Sequence, residues 1–339
     1  MPQENGELDR IDRLIVAALQ VNGRAPWQQI AGVIGTSEST VARRAQRLIE
    51  RGSVRIVATP DPIRCGLGYP VLVQIRCSAG APAAVARALA ARSDVRFVAL
   101  ITGNFDVVVE LIVTSQRHLA RVLVEELHRI PGIAGTTTES VLRHRKMTYD
   151  WSRDLLGEDA ALQLAPEFPA LGKTKALDPL DLRIVQMLST DGRASFTELA
   201  ARLDISESMA RRRVDAMASD GRMRFSTLVQ PHILGFDVEL FVWLNVDLSR
   251  LEQVVEELAV RPEVRYLSIT AGYSDVACEV ILRDQDELYR FNIDVLGALD
   301  GIRRVEVGLE LQTVKRAYLP VSGAASQAPD VVRAGQEFP

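Results

Sequence analysis

Three cysteines in 339 residues are too few and too scattered to form a disulfide framework. Histidine is nearly as scarce, with four in the chain. None sits beside a cysteine or carboxylate at metal-ligand spacing, so neither a metal centre nor a cofactor is expected. A P-loop, a GxSxG elbow and a CxxC pair are all missing, which leaves catalysis without support in the sequence. No apolar run is long enough to span a bilayer. The first ten residues, MPQENGELDR, lack the apolar core of a signal peptide. The expectation is a cytoplasmic protein with no membrane partner. One-sided charge is absent too. The net charge of −4 gives no global attraction to nucleic acid, so any such binding must come from local patches.

Apolar residues, at 47%, are plentiful enough for real cores, and basic patches do occur. Ser37 to Arg55 holds five arginines against two acids, and Ser206 to Arg224 holds five against three. Both patches fall in one kind of segment. Trp27 to Gly52 reads as two helices joined by the short turn Ile34-Gly35-Thr36-Ser37, as in a helix-turn-helix. In its second helix Val41, Ala45 and Leu48 form one apolar stripe, and Ser37 stands where an N-cap is wanted. Stepping about 100° per residue from Val41 turns Ser39, Thr40, Arg43 and Arg47 outward. Hydroxyls and guanidiniums together suit both phosphates and base edges. Thr197 to Gly221 has the same layout, with Ser206 capping, Ala210, Val214 and Met217 inward, and Ser208, Met209 and Arg212 outward. A single segment of this kind could equally be a helical hairpin with a solvated arginine face, but the segment occurs twice.

The duplication runs through the whole chain at a constant offset of 169. It relates LDRID (8–12) to LDPLD (177–181), Gly23-Arg24-Ala25 to Gly192-Arg193-Ala194, Gly66 to Gly235, Gly103 to Gly272, and Lys146 to Lys315. A repeat of about 140 residues is domain-sized rather than solenoid-sized. Each copy opens with a helix capped by Asp9 or Asp178. The next helix starts with Pro26 in one copy and with a capping box, Ser195 to Glu198, in the other. After a short strand at Val54 to Ala58, the pattern turns to βαββαβ. A half-buried strand is expected at Val71 to Cys77, a helix at Pro82 to Arg92, a hairpin about Gly103-Asn104-Phe105, a second helix, and a last strand at Gly135 to His144. The fold class is therefore α+β, two repeats of a winged helix-turn-helix followed by a ferredoxin-like domain. The expected segments are 1–62 and 177–231 for the helical domains and 66–146 and 235–316 for the β-domains. Residues 147–176 form a partly ordered linker and 321–339 a disordered tail.

With LDRID and LDPLD, NGRA and DGRA, the arginine pairs of the two helix-turn-helices, GNFD and GYSD, and PGI and DGI in order, each copy resembles the leucine-responsive regulatory protein/AsnC family. The resemblance covers about 280 residues, nearly all of both copies. It implies a DNA-binding transcriptional regulator whose ferredoxin-like (RAM, ACT-like) domain oligomerises and binds a small effector, usually an amino acid. Family members normally carry one unit per chain. DNA-binding residues carried over are Ser39, Thr40, Arg43, Arg44 and Arg47, with Ser208, Met209, Arg212 and Arg213 in the second copy. Effector residues carried over are Gly103, Asn104 and Asp106, with Gly272, Tyr273 and Asp275. A glycine turn beside an aspartate could hold carboxylate and ammonium together. The plain alternative is a tight turn capped by the aspartate.

Thr136 and Thr138 share one strand face and would add hydroxyls to the first effector site. Their counterparts Val305 and Val307 would not, so an amino acid is expected mainly at Gly103–Asp106. Two further readings stand beside the regulator. One is an enzyme, because sirohaem decarboxylases resemble the same family, although the strand Val107 to Val113 carries only Glu110 as a polar group. The other is an assembly module that no longer binds DNA. A linker of about 30 residues holds the two β-domains at roughly millimolar effective concentration. They are therefore expected to pair within the chain, with dimers or tetramers of chains forming beyond that. The two recognition helices differ, Thr40 against Met209 and Arg47 against Ala216, so their half-sites need not be alike.

Overall fold

The computed structural model describes residues 8–147, 150–165 and 175–321. The expected disordered tail, from residue 322 on, and part of the expected linker lie outside them. Two compact units form, and each draws on both copies. The helical unit takes residues up to Arg64 and from Asp150 to Asp237. The β unit takes Cys65 to Met147 and Val238 onward.

In the helical unit each copy folds as three helices and a strand. These are α1 (Arg10–Val21), α2 (Trp27–Ile34), α3 (Glu38–Glu50) and β1 (Val54–Pro60). Their counterparts α7 (Pro179–Thr190), α8 (Phe196–Leu203), α9 (Glu207–Ser219) and β6 (Met223–Val229) follow the second copy. The caps are local. Asp9 accepts from the Asp12 amide, Ser37 from Thr40, Ser195 from Glu198 and Ser206 from Met209. Each occupies an amide that the first helical turn leaves unpaired. β1 and β6 pair antiparallel, and Val57 stands opposite Ser226, its own counterpart in the second copy. A local two-fold therefore passes through this pair.

The repeated Gly-Arg-Ala motif locks that pairing. The Gly192 amide donates to the Ile56 carbonyl at 2.8 Å, and a Cβ on Gly192 would lie 2.8 Å from the Ile56 backbone. Only glycine allows so close an approach. Each arginine then reaches across to the other copy. Arg24 donates to the Ala194 carbonyl at 3.2 Å, and Arg193 donates to the Gly23 carbonyl at 2.7 Å while lying 3.7 Å over the Trp27 ring. Burial lowers the Arg193 guanidinium to about 10, which leaves it charged at neutral pH. Arg193→Ala should cost the helical unit about 1–3 kcal/mol through lost charged hydrogen bonds and cation–π contact. Arg193→Lys should recover little, since lysine lacks the planar fork. Urea unfolding of the two variants checks this, and full stability in the lysine variant would refute the fork-and-stack account.

Part of the expected linker is ordered against both copies. Trp151 is buried edge-on against Phe236 at 5.1 Å, and a short helix, α6 (Glu158–Leu164), lies against α2. Asn22 donates to the Leu164 carbonyl at 3.2 Å, and Gln29 donates to the Gln163 carbonyl at 2.8 Å.

In the β unit the first copy gives β2 (Tyr69–Cys77), α4 (Pro82–Ala90), β3 (Val95–Ile101), β4 (Val107–Val113), α5 (Gln116–Arg121) and β5 (Ile133–Met147). The second gives β7 (Val238–Val246), α10 (Leu251–Ala259), β8 (Val264–Ala271), β9 (Val276–Leu282), α11 (Gln285–Arg290) and β10 (Ile302–Arg316), with a short β11 (Leu319–Pro320) beside β10. The two β-domains pair within the chain. β5 is longer than its own copy needs, and its second half pairs with β8. The first half of β10 pairs with β7 and its second half with β3. The ladder thus closes through β10–β3–β4–β2–β5–β8–β9–β7 and back to β10, which leaves none of these eight strands with a bare edge.

Helices cover each copy's outer sheet face around Val73, Ile75, Val85 and Leu89, and around Val242, Leu244, Val255 and Leu258. Between the two sheets lies a third core of Leu72, Phe97, Phe105, Phe241, Trp243 and Tyr266. β2 is accordingly not half-buried as its alternation suggests, because Leu72 and Gln74 are as enclosed as Val71 and Val73. Among the described residues no helix is long and apolar enough to cross a membrane.

Candidate nucleic-acid interface and effector site

Ser39 and Arg43 are exposed on α3, as are Ser208 and Arg212 on α9, while Thr40 and Met209 are half-exposed beside them. Arg44 and Arg213 are turned inward. Arg44 pairs with Asp9 at 2.6 Å and with Asp12 at 2.9 Å, and Arg213 pairs with Asp178 and, at 2.8 Å, with Asp181. These aspartates belong to the motif that opens each copy, so its acids cap α1 and α7 and also brace the recognition helices. The Asp12 backbone amide and Arg44 hold the Asp9 carboxyl below its usual range. Arg47 also bonds Asp12, at 2.8 Å, with 38% of its side chain exposed. The second copy has Ala216 at that position, and Asp181 takes the buried Arg222 instead, at 3.2 Å. Arg44 and Arg213, which the helical period did not turn outward and which were carried over only with the resemblance, brace their own domains.

The hairpins sit where the two copies meet. Gly103 and Gly272 have φ of +103° and +150°. A Cβ on Gly103 would approach the Val307 carbonyl at 3.4 Å, and one on Gly272 would meet the Thr138 carbonyl at 2.7 Å. Each hairpin thus lies against the last strand of the other copy. Asp106 and Thr136 flank the same β2 residue, the Asp106 amide donating to the Ile75 carbonyl at 2.9 Å and Thr136 standing opposite Ile75. The Asp106 carboxylate accepts from the Cys77 amide at 2.6 Å, and Asp275 accepts from Val246 at 2.9 Å. Both aspartates pin their turns to the neighbouring strand. Thr136 and Thr138 stand opposite Ile75 and Val73, on the helix-covered face. Thr137 and Glu139 stand opposite Gln74 and Leu72 and face the space between the sheets.

The two copies differ on that inner face. Asn104 donates to Glu306 at 3.0 Å, Tyr273 donates to Glu306 at 2.6 Å, and Arg304 bonds both Tyr273 and Glu306. Across the axis, Glu139 accepts from the Ser274 amide at 2.8 Å and from its hydroxyl at 2.7 Å. The other Glu139 oxygen and the Gln74 amide are buried beside one another. Burial pushes the Glu139 carboxyl up to about 7. Sequence reasoning missed Gln74, Thr137, Glu139 and Ser274. The one available signal was Glu139 standing where the second copy has Gly308.

Family comparisons agree with the tandem layout. An AsnC-type helix-turn-helix domain matches residues 8–49 and 177–218, and an Lrp/AsnC ligand binding domain matches 70–151 and 239–320. An uncharacterized HTH-type transcriptional regulator of Pyrococcus abyssi is 36% identical over 146 residues, which is 43% of this chain and 92% of the relative. The HTH-type transcriptional regulator Ptr1 of Methanocaldococcus jannaschii is 32% identical over 140 residues, 41% of this chain and 95% of the relative. The chain belongs to the Lrp/AsnC family. It carries the family's unit twice, and in this tandem member the helix-turn-helix domains and the ligand-binding domains each pair within one chain. A crystal structure of the siroheme decarboxylase NirDL matches 92% of this chain and 94% of its own, with a TM-score of 0.60 at 16% identity. At that identity the likeness concerns the fold alone.

All three cysteines are free thiols, and burial pushes Cys77 up to about 11. His144 bonds Ser268 at 2.8 Å, and His118 bonds Thr114 and lies 3.8 Å from Asp94.

Proposed function

We propose that the chain is a sequence-specific, DNA-binding transcriptional regulator that responds to an amino acid or related small metabolite. The observation that carries this reading is the pair of AsnC-type helix-turn-helix domains joined through β1 and β6, with Ser39, Arg43, Ser208 and Arg212 exposed on the two recognition helices. The effector is proposed to enter where a hairpin of one copy meets the last strand of the other. The buried Gln74 amide and Glu139 carboxylate supply donors and acceptors there. Further association into dimers or tetramers of chains belongs to the same reading. Exposed Val124 with its counterpart Ile293, and Leu142 with Leu311, offer apolar positions for it. Light scattering of the purified chain tests that part.

Gel shifts on the promoter region of the chain's own gene, with and without a panel of amino acids, test the main reading. Arg43→Ala should weaken operator binding by about 1–3 kcal/mol if the guanidinium reads a base. It should flatten the salt dependence if the guanidinium holds a phosphate. Unchanged affinity at every salt concentration would remove α3 from the interface.

The second reading, an enzyme related to sirohaem decarboxylases, is favoured by the whole-chain fold likeness. It predicts that iron porphyrin added to the chain shifts its absorbance and is decarboxylated, and neither response is expected of the regulator.

A further inference from the structure

The local two-fold through Val57 and Ser226 places α3 and α9 in equivalent positions, yet the two helices do not present equivalent chemistry. Ser39 matches Ser208 and Arg43 matches Arg212, and all four are exposed. Around this shared frame the faces diverge. At the first turn, Thr40 bonds the Ser37 hydroxyl at 2.8 Å, and its counterpart Met209 offers only apolar surface. Nearly two turns on, exposed Gln46 is replaced by exposed Asp215, an acid three residues from Arg212. The next position has Arg47, with 38% of its side chain exposed, against Ala216. The brace that Arg47 gives Asp12 comes in the second copy from Arg222, whose side chain is 4% exposed and whose charge is therefore hidden. Arg211, which replaces Ala42, lies 4.4 Å over the Phe196 ring and 3.7 Å from Glu207.

We propose that a single chain reads two unlike half-sites in a fixed orientation, an inference that rests on the DNA-binding reading above. The half under α3 takes the larger share of phosphate and base-edge hydrogen bonds, through Ser39, Thr40, Arg43 and the exposed edge of Arg47. The half under α9 is read through Ser208 and Arg212. Met209 selects a thymine there, because the C5 methyl is the one major-groove feature that an apolar side chain recognises. Asp215 repels the backbone beside it, so this half contributes less to the salt dependence.

Binding-site selection from random duplexes by the full chain tests the proposal, with Met209→Thr and the triple variant Met209→Thr/Asp215→Gln/Ala216→Arg run in parallel. The wild type should enrich two halves of different sequence in constant order. A duplex carrying two copies of the first half should bind it at least about tenfold more weakly than the selected site. Met209→Thr should change the enriched bases in the second half alone, and the triple variant should move both halves towards one sequence. The altered positions lie at the surface, and circular dichroism of each variant confirms an intact fold. Enrichment of a perfect palindrome by the wild type, or an unchanged second half in both variants, would overturn the proposal and leave the DNA-binding reading standing. No enrichment above the starting pool would sink that reading and this inference together.

Discussion

Glu279→Ala should destabilise the β unit by about 3–5 kcal/mol, the largest loss expected from any single change in the chain. Glu279 is the centre of a buried cluster. Arg265 donates to it at 2.9 Å and Arg316 at 2.9 and 3.2 Å, while Arg265 also reaches Glu239 at 3.0 Å and Arg316 reaches Glu310 at 3.1 Å. Removing the shared carboxylate takes from both enclosed guanidiniums the acceptor they have in common and leaves only Glu239 and Glu310 to balance their charge, and removing one member of a buried ionic cluster is costly because its charged hydrogen bonds are not replaced. Burial by itself would raise the Glu279 carboxyl, but the two arginines hold it far below its usual range. Three carboxylates face two guanidiniums here, so one acid must stay neutral. Burial and the neighbouring Glu279 and Glu239 raise the Glu310 carboxyl well above normal, which makes Glu310 that acid. Glu310→Gln should accordingly change stability by less than about 1 kcal/mol, since an amide replaces an already neutral group of similar shape. Urea unfolding followed by Trp243 fluorescence, with Trp27 and Trp151 changed to phenylalanine, reads the β unit separately. Equal losses in the two variants would show that the cluster is held by packing rather than by charge.

The second large effect is a pH dependence. Glu139 faces the Ser274 amide and hydroxyl from the second hairpin, Gln74 from β2 and Glu306 from β10. Among the described residues no ion pair reaches it, and burial pushes its carboxyl up to about 7 from 4.5. A raised carboxyl favours the folded state while neutral. The contribution is complete below about pH 4.5 and is lost as pH rises through 7. The shift corresponds to about 3 kcal/mol. Relative to Glu139→Gln, the wild-type β unit should therefore lose about that much stability between pH 4.5 and 8. Parallel pH profiles for the two proteins would rule the account out. The same group touches the hairpin proposed to meet the effector, so a ligand bearing an ammonium beside Glu139 should bind more tightly as pH rises through 7.

Much of the architecture was legible because it is encoded over short distances. Ser37, Asp178 and Ser206 cap helices through amides two or three residues away, so reading neighbours suffices. The stripes Val41–Ala45–Leu48 and Ala210–Val214–Met217 sit on one helix face by the period alone, and the constant offset of 169 exposed the duplication. The pairing of the two β-domains within the chain followed from the short tether. Other features were decided by partners far away in sequence. Arg44 looked like a DNA contact until Asp9 and Asp12 were seen to hold it. The Gly-Arg-Ala motif carried no visible purpose until each arginine was found bonded to the other copy. In β5 a two-residue period correctly grouped Thr136 with Thr138, but it cannot say which face a strand turns to which partner once both are covered. The closure of the strands through β5–β8 and β3–β10 put Thr137 and Glu139 inside and set each hairpin against the other copy. Capping and periodicity act along the chain and can be read from it. The meeting of two distant surfaces depends on how both fold, and only the tertiary structure determines it.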